Sequence, residues 1–162
     1  MYKRILVPLD GSKLAERILP HAQAIAKGTG AEVILMRAVP TLILGVAAIA
    51  SPAEAKKWVD TEQAAAAKYL EGVAKHLRDA GQSTKLAVLG GEPAVEILTA
   101  AEKENVDLIA MMSHGVTGFS KFEHGSVTEK ILKHATRPVL MVRAFRRHVR
   151  ILDEGEVWSI KD

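Results

Sequence analysis

The chain has no cysteine, few aromatic residues and no apolar run long enough to cross a membrane. The lack of cysteine in 162 residues excludes disulfides, thiolate catalysis and cysteine-ligated zinc. Aromatic residues make up only 4% of the chain, so few side chains offer a stacking platform for nucleic-acid bases, and we expect no nucleic-acid partner. The longest apolar run, near residues 41–50, is shorter than the roughly 20 residues that a membrane helix needs. With no signal-peptide pattern at the N-terminus, we expect a cytoplasmic protein.

Several well-known catalytic motifs are also missing. The sequence contains no Walker A loop (G-x-x-x-x-G-K-[ST]), and no G-x-G-x-x-G follows its first apolar segment. It contains neither the H-E-x-x-H of zinc peptidases nor the G-x-S-x-G of serine hydrolases. We therefore assign no catalytic residues.

Short apolar segments alternate with amphipathic helical patterns along the chain. The segments at residues 5–7, 32–39, 84–89, 107–112 and 139–142 are typical of strands buried on both faces. Helical spacing covers residues 13–27, 56–80, 93–103 and 127–134. This alternation predicts an α/β fold with an open five-stranded parallel sheet and helices on both faces, which is a Rossmann-like fold. For this sheet we expect strand order 3-2-1-4-5.

The helical patterns also predict particular environments for single residues. Pro20 lies inside the first helical pattern and should kink or weaken that helix. Trp58 and Tyr69 keep helical spacing in the second pattern and are predicted to lie in the core. Val95, in the third helical pattern, is predicted to be buried. Residues 41–55 are predicted to form a long connection, whose role as a short helix, a lid or a partner contact stays open.

Open α/β sheets bind ligands beyond the carboxyl ends of their strands, where the strand order reverses. With order 3-2-1-4-5 that point lies between the first and fourth strands. Asp10 follows the first strand, and Ser113-His114-Gly115 follow the fourth. Gly125-Ser126 then precede a helical pattern in which Ser126 and Glu129 fit the S-x-x-E capping box. Glycines and hydroxyl groups at a helix N-terminus predict an anion site, here for phosphate.

Together these segments resemble the universal stress protein family over residues 1–143. The matching stretches are K-R-I-L-V-P-L-D-G-S from residue 3, G-G-E-P-A from residue 90, D-L-I-A-M from residue 107 followed by S-H-G, G-S-V-T-E-K-I-L from residue 125, and R-P-V-L-M-V from residue 137. The nucleotide-binding branch of that family carries G-x-x-G-x(9)-G-[ST]. Gly115, Gly125 and Ser126 match its last elements, and Met112 stands at the position of its first glycine.

The resemblance implies the adenine nucleotide alpha hydrolase-like type of the Rossmann-like fold. It also implies a regulatory protein that binds ATP, or AMP or ADP, with or without Mg²⁺, hydrolyses it little or not at all, and is at most a slow ATPase. It implies that Pro8, Leu9, Asp10 and Ala38 hold the adenine and ribose, and that the phosphate end is held by Gly115, Gly125 and Ser126. The full set of site residues also includes Met112, Ser113, His114 and Val127. The resemblance further implies a homodimer formed through the fifth strand, Val139, Leu140, Met141 and Val142.

Met112 leaves two hypotheses open. If its side chain only displaces one backbone contact, the loss is about 1.5–3 kcal/mol, or roughly ten- to hundredfold in affinity. If it fills the ribose pocket, the chain is a nucleotide-free dimeric interaction module of the same fold. Met is flexible enough to move aside, which favours the first hypothesis.

The last segment, residues 144–162, follows the predicted universal stress protein domain at residues 1–143. Its apolar stretches flank Asp153-Glu154-Gly155-Glu156, which is consistent with a small hairpin. A dimer contact and a back-folded tail are the alternatives.

Overall fold

The computed structural model describes residues 1–39, 51–113 and 126–143. Five parallel strands form one sheet in the order β3-β2-β1-β4-β5, which confirms the predicted topology. The strands are β1 (Arg4–Pro8), β2 (Glu32–Val39), β3 (Thr84–Gly90), β4 (Leu108–Met112) and β5 (Val139–Val142). The first helical region starts with a 3-10 turn (Ala15–Ile18), and the α-helices are α1 (Leu19–Thr29), α2 (Pro52–Asp79), α3 (Pro93–Lys103) and α4 (Ser126–His134).

The helices cover both faces of the sheet. Successive side chains of a strand point to opposite faces, so each strand contributes to two cores. Val33 and Leu35 of β2 pack in one core with buried residues of α1 and α2, such as Leu70. Ile34 and Met36 of β2 pack in the other core with α3 and α4. The two layers of helices therefore follow from the alternation along β2.

The predicted helix over residues 13–27 is wrong in its first turns. The chain forms the 3-10 turn first, and the α-helix begins only at Leu19. Pro20 consequently lies in the first turn of α1, where its missing N–H has no helical partner to lose. It marks the start of the α-helix and does not kink it. Gly30, with φ 71°, ends α1.

Helix α2 begins earlier than predicted, and its first turns project from the core. Ser51 and Glu54 form a capping box that starts the helix at Pro52, inside the predicted connection. At 28 residues the helix is about 42 Å long, well beyond the reach of the strands it covers. Trp58 lies on the projecting part and is 52% exposed, so its prediction as a core residue was wrong. Despite the length of α2, no helix among the described residues is apolar enough to cross a membrane.

Helix α3 buries a different face from the one predicted. Glu92 caps its N-terminus, because the Glu92 carboxylate accepts a hydrogen bond from Val95 N–H at 2.9 Å. Ala94, Ile97 and Ala101 then form the buried stripe, at helical spacing. Val95 lies off that stripe and is 55% exposed, so its predicted burial was wrong.

Candidate functional site

The carboxyl ends of β1 and β4 lie side by side, as the predicted strand order requires. Ile5 pairs with Leu108 and Leu6 with Ile109 in parallel register. Continuing this register brings Asp10, just after β1, level with Ser113, just after β4. The two polar residues that the sequence places at the reversal of strand order are thus brought to the same edge of the sheet.

The turn after β1 is closed by hydrogen bonds. Leu9 N–H donates to Met36 O at 2.8 Å, which keeps the chain attached to β2 beyond the end of β1. The Asp10 carboxylate then accepts from Ser12 N–H at 2.9 Å, and Gly11 between them has φ +89°. Ser12 Oγ in turn accepts from Ala15 N–H at 3.0 Å. These contacts fix the backbone that carries the half-buried Asp10.

The end of β4 is joined to the start of α4. Ser113 is buried, and its N–H donates to Val142 O of β5 at 2.9 Å. Thr128 Oγ1, also buried, donates to Ser113 O at 2.9 Å. Ser126 and Val127 are the first residues of α4, so this hydrogen bond holds the N-terminus of α4 close to the end of β4.

A second contact holds α4 from its other side. Lys130 Nζ lies 3.1 Å from the Glu92 carboxylate in the turn before α3, although both side chains are largely exposed. The Val95 N–H, and more weakly Lys130, lower the pKa of Glu92 against the opposing effect of burial. The G-G-E-P turn and the α4 N-terminus are therefore positioned together.

Met112, the last residue of β4, points into the core. Leu108, Ala110 and Met112 alternate onto the face covered by α1 and α2, and Met111 lies on the opposite face. Met112 is 5% exposed and belongs to the same buried cluster as Ile18 of the 3-10 turn. Its side chain is therefore a packing residue of the sheet–helix interface.

Of the remaining predicted site residues, only some lie in the part of the chain that the structure describes. Pro8 and Ala38 are half-buried at the carboxyl ends of β1 and β2. His114, Gly115 and Gly125 lie outside the described residues. The capping box of Ser126 and Glu129 stays a prediction. Within residues 1–39, 51–113 and 126–143, no group of three or more metal-ligating side chains is found.

The sequence analysis missed a polar cluster beside the Asp10 turn. The Arg37 guanidinium lies over the Tyr69 ring, 5.2 Å from its centroid, and Tyr69 Oη donates to Glu16 at 3.2 Å. Burial and the negative charges of Glu16 and Asp10 raise the pKa of Tyr69, while Arg37 opposes them. A signal was present in the sequence, because Arg37 interrupts the apolar run that follows Glu32 in β2.

The comparisons with known proteins agree with this geometry. The sequence profile of the universal stress protein family matches residues 1–143. Universal stress protein MJ0577 of Methanocaldococcus jannaschii is 37% identical over 155 residues, which cover 88% of this chain and 96% of that protein. The solved structure of MJ0577 superposes with a TM-score of 0.79 at 34% identity, covering 91% of this chain and 99% of that one.

Two more distant structures carry bound nucleotides. A universal stress protein in complex with cAMP has a TM-score of 0.59 at 21% identity, covering 89% of this chain and 98% of that one. A family protein from Arabidopsis thaliana with AMP bound has a TM-score of 0.62 at 16% identity, covering 87% of this chain and 91% of that one. At these identities the likeness concerns the fold.

Proposed function

The chain belongs to the universal stress protein family, and from this premise we propose that it binds ATP or a related adenine nucleotide as a regulatory ligand. Two relatives with the same fold carry AMP and cAMP, which share the adenosine moiety. The observation that carries the proposal is the burial of Met112 among the core residues beneath the 3-10 turn.

In this proposal the adenosine end lies at the β1 and β2 side of the edge. The Asp10 carboxylate, already held in place by Ser12 N–H, accepts hydrogen bonds from ribose hydroxyl groups. The backbone of Pro8 and Leu9, together with the small, half-buried Ala38, borders the adenine.

The phosphate end lies at the start of α4. Free N–H groups and the dipole of a helix N-terminus favour an anion, and Ser126 and Val127 provide this end here. Ser113, His114, Gly115 and Gly125 complete the phosphate loop, with Mg²⁺ as an additional ligand of the phosphates. The hydrogen bond from Thr128 to Ser113 supports this arrangement, because it joins the helix to the strand that precedes the loop.

The competing hypothesis, a site blocked by Met112, requires that side chain to occupy the ribose pocket. Its 5% exposure and its place in the buried cluster that includes Ile18 argue against this, since leaving the core would expose apolar surface and open a cavity. Met112 then lowers the affinity for the nucleotide by at most the contribution of one backbone contact, which glycine at this position would permit.

We further propose that the nucleotide is a signal and is hydrolysed slowly, since the sequence lacks a Walker-type lysine. A homodimer through β5 completes the proposal. β5 ends the sheet, and all four of its residues are half-buried, so its outer backbone groups are suited to pairing with a second copy.

Calorimetry with Mg-ATP at up to millimolar concentration tests the nucleotide proposal. We expect saturable heat for the wild type and a loss of roughly tenfold or more in affinity for Asp10→Ala, which removes one charge-assisted hydrogen bond. Asp79→Ala is the matched control, because it removes an exposed carboxylate at the far end of α2 and should bind as the wild type does.

The ligand that co-purifies gives an independent measurement. Heat-released supernatant is separated by anion exchange, and an adenine nucleotide is expected. Absence of both a released nucleotide and a calorimetric signal would refute the proposal. If the protein turns over ATP well above the buffer rate and Ser126→Ala abolishes this turnover, the protein is an enzyme instead.

A further inference from the structure

We infer that Arg37 is a positioning residue for the nucleotide: stacked on Tyr69, its guanidinium supports the turn that carries Asp10. This inference rests on the proposed function, since it concerns how the same site is held in its binding conformation. It assigns a role to the polar cluster of Arg37, Tyr69 and Glu16, which lies beside the site without belonging to the predicted set of ligand-binding residues.

The first step is the contact between Arg37 and Gly11. A Cβ atom built on Gly11 would lie 2.9 Å from Arg37 Nη1 and 3.1 Å from its Cζ, so the guanidinium occupies the space where a side chain would begin. Gly11 also has φ +89°, which L-residues with a side chain rarely adopt. The backbone of the turn thus rests directly on the guanidinium.

The second step is the support of Arg37 itself. Its guanidinium faces the Tyr69 ring at 5.2 Å, within the range of a cation–π interaction. A planar guanidinium stacked on a ring keeps a defined orientation, which the ammonium group of lysine does not. Tyr69 is held in turn by its hydrogen bond to Glu16, in the 3-10 turn that follows the Asp10 turn. Helix α2 therefore braces the site through Tyr69 and Arg37.

The third step concerns charge. Glu16 is engaged by Lys13 at 2.8 Å and by Tyr69, and the ion pairs found among the described residues do not include Arg37. Asp10 and Arg37 act on the Tyr69 hydroxyl with opposite signs, which places both charges near the same ring. The guanidinium therefore acts on the turn through its contacts with Gly11 and Tyr69.

Two readouts test the inference on the full chain. The dissociation constant for Mg-ATP is measured by calorimetry, and hydrogen exchange of the Ser12 amide, which donates to Asp10, is measured without nucleotide. For Arg37→Gln we expect roughly threefold to tenfold weaker binding, the scale of a cation–π contact, together with faster exchange at Ser12. The thermal unfolding midpoint of each variant identifies any loss of fold.

Matched variants distinguish the positioning role of the Arg37 guanidinium from the effect of its charge alone. Arg37→Lys keeps the charge but not the planar stack, so it should weaken binding nearly as much as Arg37→Gln. Tyr69→Leu removes the ring and should do the same, whereas Tyr69→Phe keeps it and should retain most of the affinity. Arg78→Gln removes one cation from the far end of α2, where Arg78 pairs with exposed Glu71, and should leave both readouts unchanged.

A double-mutant cycle tests the contact with Gly11. Gly11→Ala should weaken binding through its backbone strain and through its clash with Arg37. In the Arg37→Gln background the clash is relieved, so the same substitution should cost less affinity than it does alone. Equal effects in both backgrounds would mean that the two residues are not coupled.

The outcomes distinguish this inference from the proposed function. A wild type that binds no adenine nucleotide overturns both. If the wild type binds, and the folded Arg37→Gln and Arg37→Lys variants both keep the wild-type affinity and the wild-type exchange rate at Ser12, only the role of Arg37 is overturned. Affinity retained by Arg37→Lys but lost in Arg37→Gln would show a purely electrostatic effect and would also overturn the positioning role.

Discussion

Replacing Met112 by alanine should destabilise the fold without improving nucleotide binding. The side chain is 5% exposed and lies in the core cluster that contains Ile18 of the 3-10 turn. Truncation therefore removes buried atoms at the contact between β4 and this turn. If Met112 instead blocked the ligand site, the same truncation would open the site and leave the core intact.

The expected magnitude follows from this burial. Truncating a buried methionine to alanine typically lowers the free energy of unfolding by about 2–5 kcal/mol, through lost transfer energy and a residual cavity. The neighbouring chain is only a short 3-10 turn at this point and can relax toward the cavity, so we expect about 2–4 kcal/mol. A domain with a typical stability of about 5–15 kcal/mol would remain folded.

Urea unfolding and calorimetry with Mg-ATP give the two measurements. Met111→Ala is the matched control, because it removes the same side chain from the preceding residue, which is 6% exposed and packs in the other core. Both variants should lose similar stability, and Met112→Ala should bind Mg-ATP within about twofold of the wild type, since the site is not opened.

A different pattern would refute this reasoning. If Met112→Ala keeps the wild-type free energy of unfolding and gains tenfold or more in affinity while Met111→Ala is destabilised, then Met112 occupies the ligand site. The nucleotide-free hypothesis would then apply to the unmodified chain.

Two further predictions concern hydrogen bonds at the two ends of β4. Asp107 accepts from Lys3 N–H at 2.7 Å and from Arg4 N–H at 2.9 Å, and these bonds lower its pKa. A carboxyl group whose folded pKa is depressed stabilises the fold above its unfolded pKa, so the urea midpoint of Asp107→Asn should fall below that of the wild type at pH 7. The corresponding loss of unfolding free energy is about 0.5–1 kcal/mol after allowance for solvent exposure. It should shrink as the pH falls below about 4 and vanish below the lowered pKa of folded Asp107, and a loss that does not change with pH would contradict the prediction. Thr128→Val should cost about 1–2 kcal/mol by removing the buried bond to Ser113, and should weaken Mg-ATP binding, whereas Thr128→Ser should retain both. Binding unaffected in the valine variant would show that the Thr128 bond does not position α4.

The sheet was predictable because its signal is local. Short, mainly apolar segments gave all five strands within one residue at each end, and their alternation with helices gave the parallel sheet. Asp10 and Ser113 could then be assigned to one edge without any contact information, since the reversal of strand order alone brings the ends of β1 and β4 together.

Side-chain environments were less predictable because they depend on tertiary placement. Helical spacing identifies an apolar stripe, but it does not say where a long helix extends beyond the sheet, and Trp58 lies on such an extension. The contact of Arg37 with Tyr69 joins β2 to α2, and the bond of Thr128 to Ser113 joins α4 to β4. Such pairings are set by register and by helix rotation, which a single sequence does not specify.

The two ends of the site differ in how they tolerate a side chain. At position 112 the strand alternation directs the side chain into the core, so methionine is accommodated where the family motif has glycine. At position 11 the positive φ strains any residue with a side chain, and the guanidinium of Arg37 would have to shift to admit a Cβ atom. Glycine is therefore favoured at the Asp10 turn for a structural reason, whereas at the end of β4 it is replaceable as long as the ligand needs only the backbone. The loss of a motif glycine at residue 112 is for this reason compatible with retained nucleotide binding.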